Sequence, residues 1–221
     1  MSLQIDMRVL ELLASKICHD LVSPVSAINN GVELIEDIGG SVVDEAMKLI
    51  GDSAGHASRR LRLFRMAYGR AGSEESLSVK DVRQTAAQYL STGKTMLNWA
   101  DDQLPADIAS RRGFLKVILN LIILSEEILA YGGVVTLRPL EESEIMGGRL
   151  EIVGRGAQLT PQVEEALEGR AAVEDLTPRT IQSYVTGKFA AGFGLTIRHE
   201  QPATDRLDIV LIADSGMFPS A

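Results

Sequence analysis

One stretch of this sequence carries residue types and spacing suited to group transfer: Lys16-Ile17-Cys18-His19-Asp20-Leu21-Val22-Ser23-Pro24. A neutral imidazole keeps a lone pair on one ring nitrogen while the other nitrogen carries the proton, so histidine serves as a nucleophile near neutral pH. A carboxylate beside it can hold the protonated nitrogen, leaving the other free to attack, and can take up the proton as attack proceeds. Side chains at i and i+1 diverge on a helix, so a contact between His19 and Asp20 requires a particular pair of rotamers. Pro24 adds a second signal. Proline inside a helix costs about 3 kcal/mol and leaves the carbonyl four residues earlier without its donor. Here that carbonyl is Asp20's, and a helix that tolerates this break beside a histidine is expected to use it.

The helical wheel places these residues. With His19 at zero and about 100° per residue, Leu10, Leu13, Ile17, Leu21, Ile28, Val32 and Ile35 fall between roughly 120° and 220°. Ser15, Lys16, Ser23, Ser26, Asn30 and Asp37 gather around His19. His19 is therefore expected at the centre of a polar face, among residues that let a bulky partner approach. Lys16 lies about one turn away on the same side; a plain solvated lysine is one reading of it. Ser23 and Asn30 offer hydrogen bonds across the same face.

The elements that must hold this face are two long helices. Leu10, Ala14, Ile17, Leu21, Pro24, Ile28, Gly31 and Ile35 step by four and three, and Gly39-Gly40 ends the run. Ser41 is expected to cap the next helix, with Asp44 in capping-box spacing. Val43, Met47, Ile50, Ala54, Ala57, Leu61, Phe64 and Tyr68 repeat the rhythm. Two such helices predict an antiparallel hairpin, residues 1–70, and a lone hairpin leaves one side of each helix uncovered. A homodimer closing a four-helix bundle would cover it; the rest of the chain is the alternative cover.

Residues 71–77 are linker-like. From 78 to 221 the pattern changes. It predicts a helix over 79–91 opened by Ser78, a strand over 94–100, a helix over 110–130 closed by Gly132-Gly133, and strands over 134–140 and 148–154. A short helix with Pro161 just inside its start, a helix over 178–192 and a strand pair, 195–201 and 206–213, follow. This order predicts an α+β chain whose second domain is an α/β sandwich with helices on one face of a mixed sheet.

Composition narrows the function. The chain has 221 residues, 45% hydrophobic and 24% charged, which suits folded domains. Its net charge of −8 argues against duplex binding. No apolar run is long enough to span a bilayer, the N-terminal residues do not read as a secretory signal, and a single cysteine suits a reducing cytoplasm. No zinc-type spacing and no P-loop occur, so neither a metal nor a nucleotide site is expected in this chain. Arg59, Arg60, Arg62, Arg65 and Arg70 cluster without an intervening acid. They are expected either to attract an acidic partner or to complement a helix C-terminus. Cys18 reads as small and partly buried, His56 as a surface residue, and His199 as a strand residue with no acidic companion beyond Glu200.

The segment His19-Asp20-Leu21-Val22-Ser23-Pro24 resembles the H-box of histidine kinases. The wider ICHDLVSPVSAINNGVELIED, residues 17–37, is similar to the ChpT family of alphaproteobacterial histidine phosphotransferases. That resemblance implies a phosphoacceptor His19 assisted by Asp20, a Lys16 that neutralises phosphoryl charge or pairs with an acidic receiver pocket, and a second domain like a kinase ATP-binding domain that no longer binds ATP. Residues 117–125 fit this: Asn120 matches the first asparagine of the kinase motif, but Leu124 stands where the Mg²⁺-holding asparagine belongs, and Mg²⁺ requires oxygen ligands. Gly154-Arg155-Gly156 lacks the aspartate that reads adenine, and Gly192-Phe193-Gly194 is too short for the lid motif. The helix over 117–129 therefore reads as buried and structural. The resemblance implies receiver domains as partners, including the receiver of a hybrid histidine kinase, with Mg²⁺ supplied by the receiver. A non-catalytic adaptor for receivers, an active histidine kinase and a receiver phosphatase are the rival expectations.

Overall fold

The computed structural model describes residues 6–69, 77–100, 104, 106–140 and 146–213; the expected linker lies outside them except for Leu77. Asp6 opens the first helix by accepting a hydrogen bond from the Arg8 amide at 2.8 Å, which satisfies one of the donors a helix start leaves free. Helix α1 then runs Met7–Asp37 without interruption through Pro24. Gly39 and Gly40, with φ of 58° and 54°, turn the chain out of it. A single 3₁₀ turn, Gly40–Val42, leads directly into α2, Val43–Tyr68. Ser41 is consumed in that turn, so the expected cap does not form and α2 starts without a side-chain cap.

The two helices lie antiparallel and touch closely at Gly31. A Cβ there would stand 2.6 Å from Ile50 Cγ1 and 3.3 Å from the Ala46 carbonyl oxygen, so only glycine permits this approach. Pro24 and Gly31 are the buried residues of α1.

Beyond the hairpin come α3 (Val79–Leu90), β1 (Thr95–Asn98), α4 (Ala106–Ala109), α5 (Phe114–Ile128), β2 (Gly133–Pro139), β3 (Met146–Val153), α6 (Pro161–Leu167), α7 (Ile181–Gly192), β4 (Leu195–Ala203) and β5 (Arg206–Ala213). Ser78 caps α3, and Thr160 caps α6 with Pro161 in the first turn. The short α4 was not expected from sequence. The strands form one mixed sheet in the order β1-β2-β3-β5-β4, parallel only between β1 and β2.

One face of the sheet packs on helices. Val135, Leu137, Leu150, Ile152, Leu207, Ile209 and Leu211 form a core with α5, whose residues Phe114–Ser125 are all buried. The opposite face carries Arg138, Arg149, Glu151, Arg206 and Asp208, paired among themselves. The expected α+β architecture with helices on one side of a mixed sheet is thus what forms.

The hairpin is seated on this second part at several points. Val9, Leu12 and Leu13 pack against the cluster of Ala166, Leu176, Ile181, Tyr184 and Val185, and Arg8 donates to the Leu176 carbonyl at 3.1 Å. Lys116, on α5, donates to the Gly69 carbonyl at 2.8 Å and the Tyr68 carbonyl at 3.4 Å. Its cation thereby closes the C-terminal end of α2.

Candidate functional site

His19 stands on the outer surface of α1, its side chain 89% exposed. Ser15, Ser23, Ser26 and Asn30 are exposed as well, as the wheel predicts. Pro24 is not part of this open face. It is buried on the inner side of α1, because it falls on the apolar stripe that α2 covers.

Asp20 is held by three neighbours, and its two oxygens are used differently. Oδ1 stands 3.5 Å from His19 Nδ1. Oδ2 faces Lys16 Nζ at 3.4 Å and an Arg60 guanidinium nitrogen at 3.6 Å. The rotamer fit that adjacent residues need is therefore present, anchored from the far side of the carboxylate. A proton on Nδ1 directed at Oδ1 would leave Nε2 its lone pair. This arrangement suits nucleophilic attack by a neutral imidazole.

Lys16 does not lie open beside His19. Its side chain is 11% exposed, and its ammonium pairs with Glu127 on α5 as well as with Asp20. Burial works against its charge, but Glu127 and Asp20 outweigh that and hold its pKa above the ordinary lysine value. Glu127 is distant in sequence and reaches Lys16 only through the packing of α5 against the hairpin.

Arg60 extends the network across the hairpin into the second part of the chain. Besides Asp20, it contacts Glu126 at 3.5 Å and the Tyr89 hydroxyl at 3.4 Å, and its Nε donates to His56 Nε2 at 3.0 Å. Its guanidinium carbon lies 5.2 Å from the centre of the Tyr89 ring. Tyr89 in turn donates its hydroxyl hydrogen to Glu126. Burial, then the Glu126 charge, keep that phenol protonated far above its ordinary range. Beside these residues a cavity of about 310 Å³ opens between hairpin and sheet, with Lys94, Thr95 and Leu129 also on its walls.

Sequence reasoning placed Arg60 in a generic basic cluster and missed Tyr89, Glu126 and Glu127. A usable signal exists: Glu126-Glu127 closes a helix that is otherwise almost wholly apolar from Phe114 to Leu124. His56 is half-buried as Arg60's acceptor, not a plain surface residue. Cys18 is exposed, not partly buried. His199 meets Glu168 at 3.4 Å and Glu164 at 4.0 Å, acids from α6 and its C-cap that its own strand does not reveal. Arg170 pairs with the same two glutamates. Arg70 lies outside the described residues.

Asn120 and Leu124, the positions the kinase resemblance singles out, are engaged in packing. Asn120 is fully buried and donates to the carbonyls of Ala67 and Lys116, both at 2.9 Å. Gln182 donates to its backbone and side-chain oxygens at 3.1 and 3.3 Å. Leu124 is 1% exposed. Among the described residues, no helix is long and apolar enough to cross a membrane.

Comparisons with known proteins cover most of the chain. The family description of the histidine phosphotransferase C-terminal domain matches residues 79–205. The protein phosphotransferase ChpT of Brucella abortus (strain 2308) is 33% identical over 210 residues, spanning 93% of this chain and 97% of that protein. A solved bacterial phosphotransferase superposes with a TM-score of 0.75 at 28% identity, covering 95% of this chain and 98% of the other.

Proposed function

The chain belongs to the histidine phosphotransferase family, and on that premise we propose that it relays a phosphoryl group between receiver-domain aspartates through His19. The observation that carries this reading is the geometry of one residue pair. His19 is 89% exposed on a rigid helix, with Asp20 Oδ1 at its Nδ1. Nε2 attacks the phosphorus of an aspartyl phosphate in line. The N–P bond forms, the P–O bond to the receiver aspartate breaks, and the electron pair leaves with that carboxylate. Asp20 offsets the positive charge that develops on the ring. Transfer to a second receiver runs the same step in reverse. Such chemistry depends mainly on positioning and electrostatics.

The partners in this reading are response-regulator receiver domains, among them that of a hybrid histidine kinase. They bring the Mg²⁺ as well as the acidic pocket. Ser15, Ser23, Ser26 and Asn30 form the face on which a receiver settles. The second part of the chain acts without ATP. Asn120 engaged with Ala67 and Gln182, and Leu124 in the position of a metal-binding residue, both support that. The working form is a homodimer in the cytoplasm. Its support is an exposed apolar stripe on each hairpin helix at seven-residue spacing: Cys18, Val25 and Val32 on α1, and Met47, Ala54 and Leu61 on α2.

The test is transfer of radiolabel from a phosphorylated receiver to the wild-type chain and to His19→Ala. Acid-labile, alkali-stable label on the wild type alone is expected. No label on either protein, with receiver binding confirmed, would overturn the relay and leave a docking adaptor.

A further inference from the structure

Arg60 joins Asp20, the partner of His19, to two residues of the second part of the chain, Tyr89 and Glu126. Its guanidinium is spread over four acceptors on four helices: His56 Nε2 on α2 itself, Asp20 Oδ2 on α1, the Tyr89 hydroxyl on α3 and Glu126 on α5. Its side chain is 17% exposed. A planar fork held from so many directions has little freedom, so whatever it contacts inherits a fixed position.

What it contacts decides the chemistry of His19. A carboxylate on the residue next to a histidine has no intrinsic reason to face the ring. Asp20 does so because its other oxygen is drawn to Arg60 and Lys16. We propose that Arg60 is a positioning residue for phosphotransfer: buttressed by Tyr89 and Glu126, it anchors Asp20 Oδ2 so that Oδ1 holds the proton on His19 Nδ1 and leaves Nε2 to react. The second part of the chain thereby acts on the phosphoacceptor through Glu126, Tyr89 and Arg60 without touching it. This rests on the relay reading given above and deepens it. The group-transfer step is unchanged: Nε2 gains the phosphoryl group, the receiver carboxylate leaves with its electron pair, and the Nδ1 proton stays between ring and Asp20.

The experiment reads the tautomer directly. In the full-length unphosphorylated chain, ring nitrogen shifts of ¹⁵N-labelled histidine report which nitrogen of His19 carries the proton, with the His19 signal identified by its loss in His19→Ala. The wild type is expected in the Nδ1–H form. Arg60→Gln is expected to shift the balance toward Nε2–H and to slow transfer from a phosphorylated receiver by about tenfold or more, with Arg60→Lys recovering part of both. Glu126→Gln, which removes the buttress and keeps Arg60, is expected to shift both in the same direction and serves if Arg60→Gln does not fold. A wild-type tautomer in the folded variants would overturn the proposal, whatever happens to the rate, because a merely structural loss slows transfer without moving the ring proton. The tautomer comparison needs no phosphoryl donor. A wild-type chain that takes no label would therefore sink the relay reading while the ring-proton result still decides the role of Arg60.

Discussion

Asn120 Nδ2 donates to the carbonyl oxygen of Ala67 at 2.9 Å, tying α5 to the last turns of α2. Gln182 reaches the same asparagine from α7, and Tyr68 donates to Gln182. Four residues on three helices thus satisfy one another between hairpin and second part. Removing the Asn120 side chain takes a donor from the Ala67 carbonyl and an acceptor from Gln182. Asn120→Leu keeps the volume and removes the polar groups, so it is expected to lower unfolding free energy by ~1–3 kcal/mol. Urea titration followed by circular dichroism measures this. An unchanged midpoint would mean that water enters and replaces the lost partner. In the same assay, millimolar Mg·ATP is expected to leave the wild-type midpoint where it was, since a ligand that binds only the folded chain raises it.

Gly31 sets how closely the hairpin helices approach. A methyl at this position meets Ile50 Cγ1 at 2.6 Å and the Ala46 carbonyl oxygen at 3.3 Å. Gly31→Ala gains helix propensity but overpacks the crossing, and the clash wins: a net loss of ~1–3 kcal/mol is expected. Ile50→Ala opens the space and also costs stability alone. The two changes together are expected to cost less than their sum, because they share one contact. A strictly additive pair would show that the helices shift apart instead.

Partial burial first, then the positive charges of Arg60 and Arg59, hold His56 below its ordinary pKa of 6.5, with Glu126 opposing. The unfolded chain therefore binds this proton more readily than the folded chain. Stability linked to His56 is whole above pH 6.5 and declines as pH falls below it, until the folded ring also protonates. His56→Gln is expected to flatten that decline. The comparison is the unfolding free energy of each protein at about pH 7.5 and about pH 5. Equal slopes for the two proteins would remove His56 as the source.

Much of the hairpin is legible because it depends on local periodicity. The exposure of His19, Ser15, Ser23, Ser26 and Asn30 follows from the 100° step alone, and Gly39-Gly40 punctuates the chain by backbone geometry. The sheet follows from the alternation of strands and helices. The clamp behind His19 is not legible in this way. Lys16 turns toward Glu127, and Arg60 toward Tyr89 and Glu126, because tertiary packing brings distant acids to them. The same holds for His56, which looks like a surface residue until Arg60 is placed against it. Pro24 is legible from its place in the four-three rhythm, which puts it on the buried side of α1.

The exposed stripes of the hairpin provide the test of assembly. Met47 is 56% exposed, Leu61 53% and Val32 42%, yet all three fall in a repeat that two-helix packing normally buries. In the proposed dimer, a second copy of the hairpin would offer the same stripes and complete a four-helix bundle. Glutamate at such a position places a carboxylate, and its symmetry mate, in a low-dielectric seam, which opposes association on both sides of the axis. Val32→Glu with Met47→Glu is therefore expected to convert a wild-type dimer into a monomer. Neither residue belongs to the core that seats the hairpin on the sheet, so far-ultraviolet circular dichroism is expected to stay the same. Sedimentation equilibrium decides between the outcomes. A wild-type chain that sediments at the mass of a single copy would overturn the dimer. A variant that stays dimeric would place the interface elsewhere on the molecule.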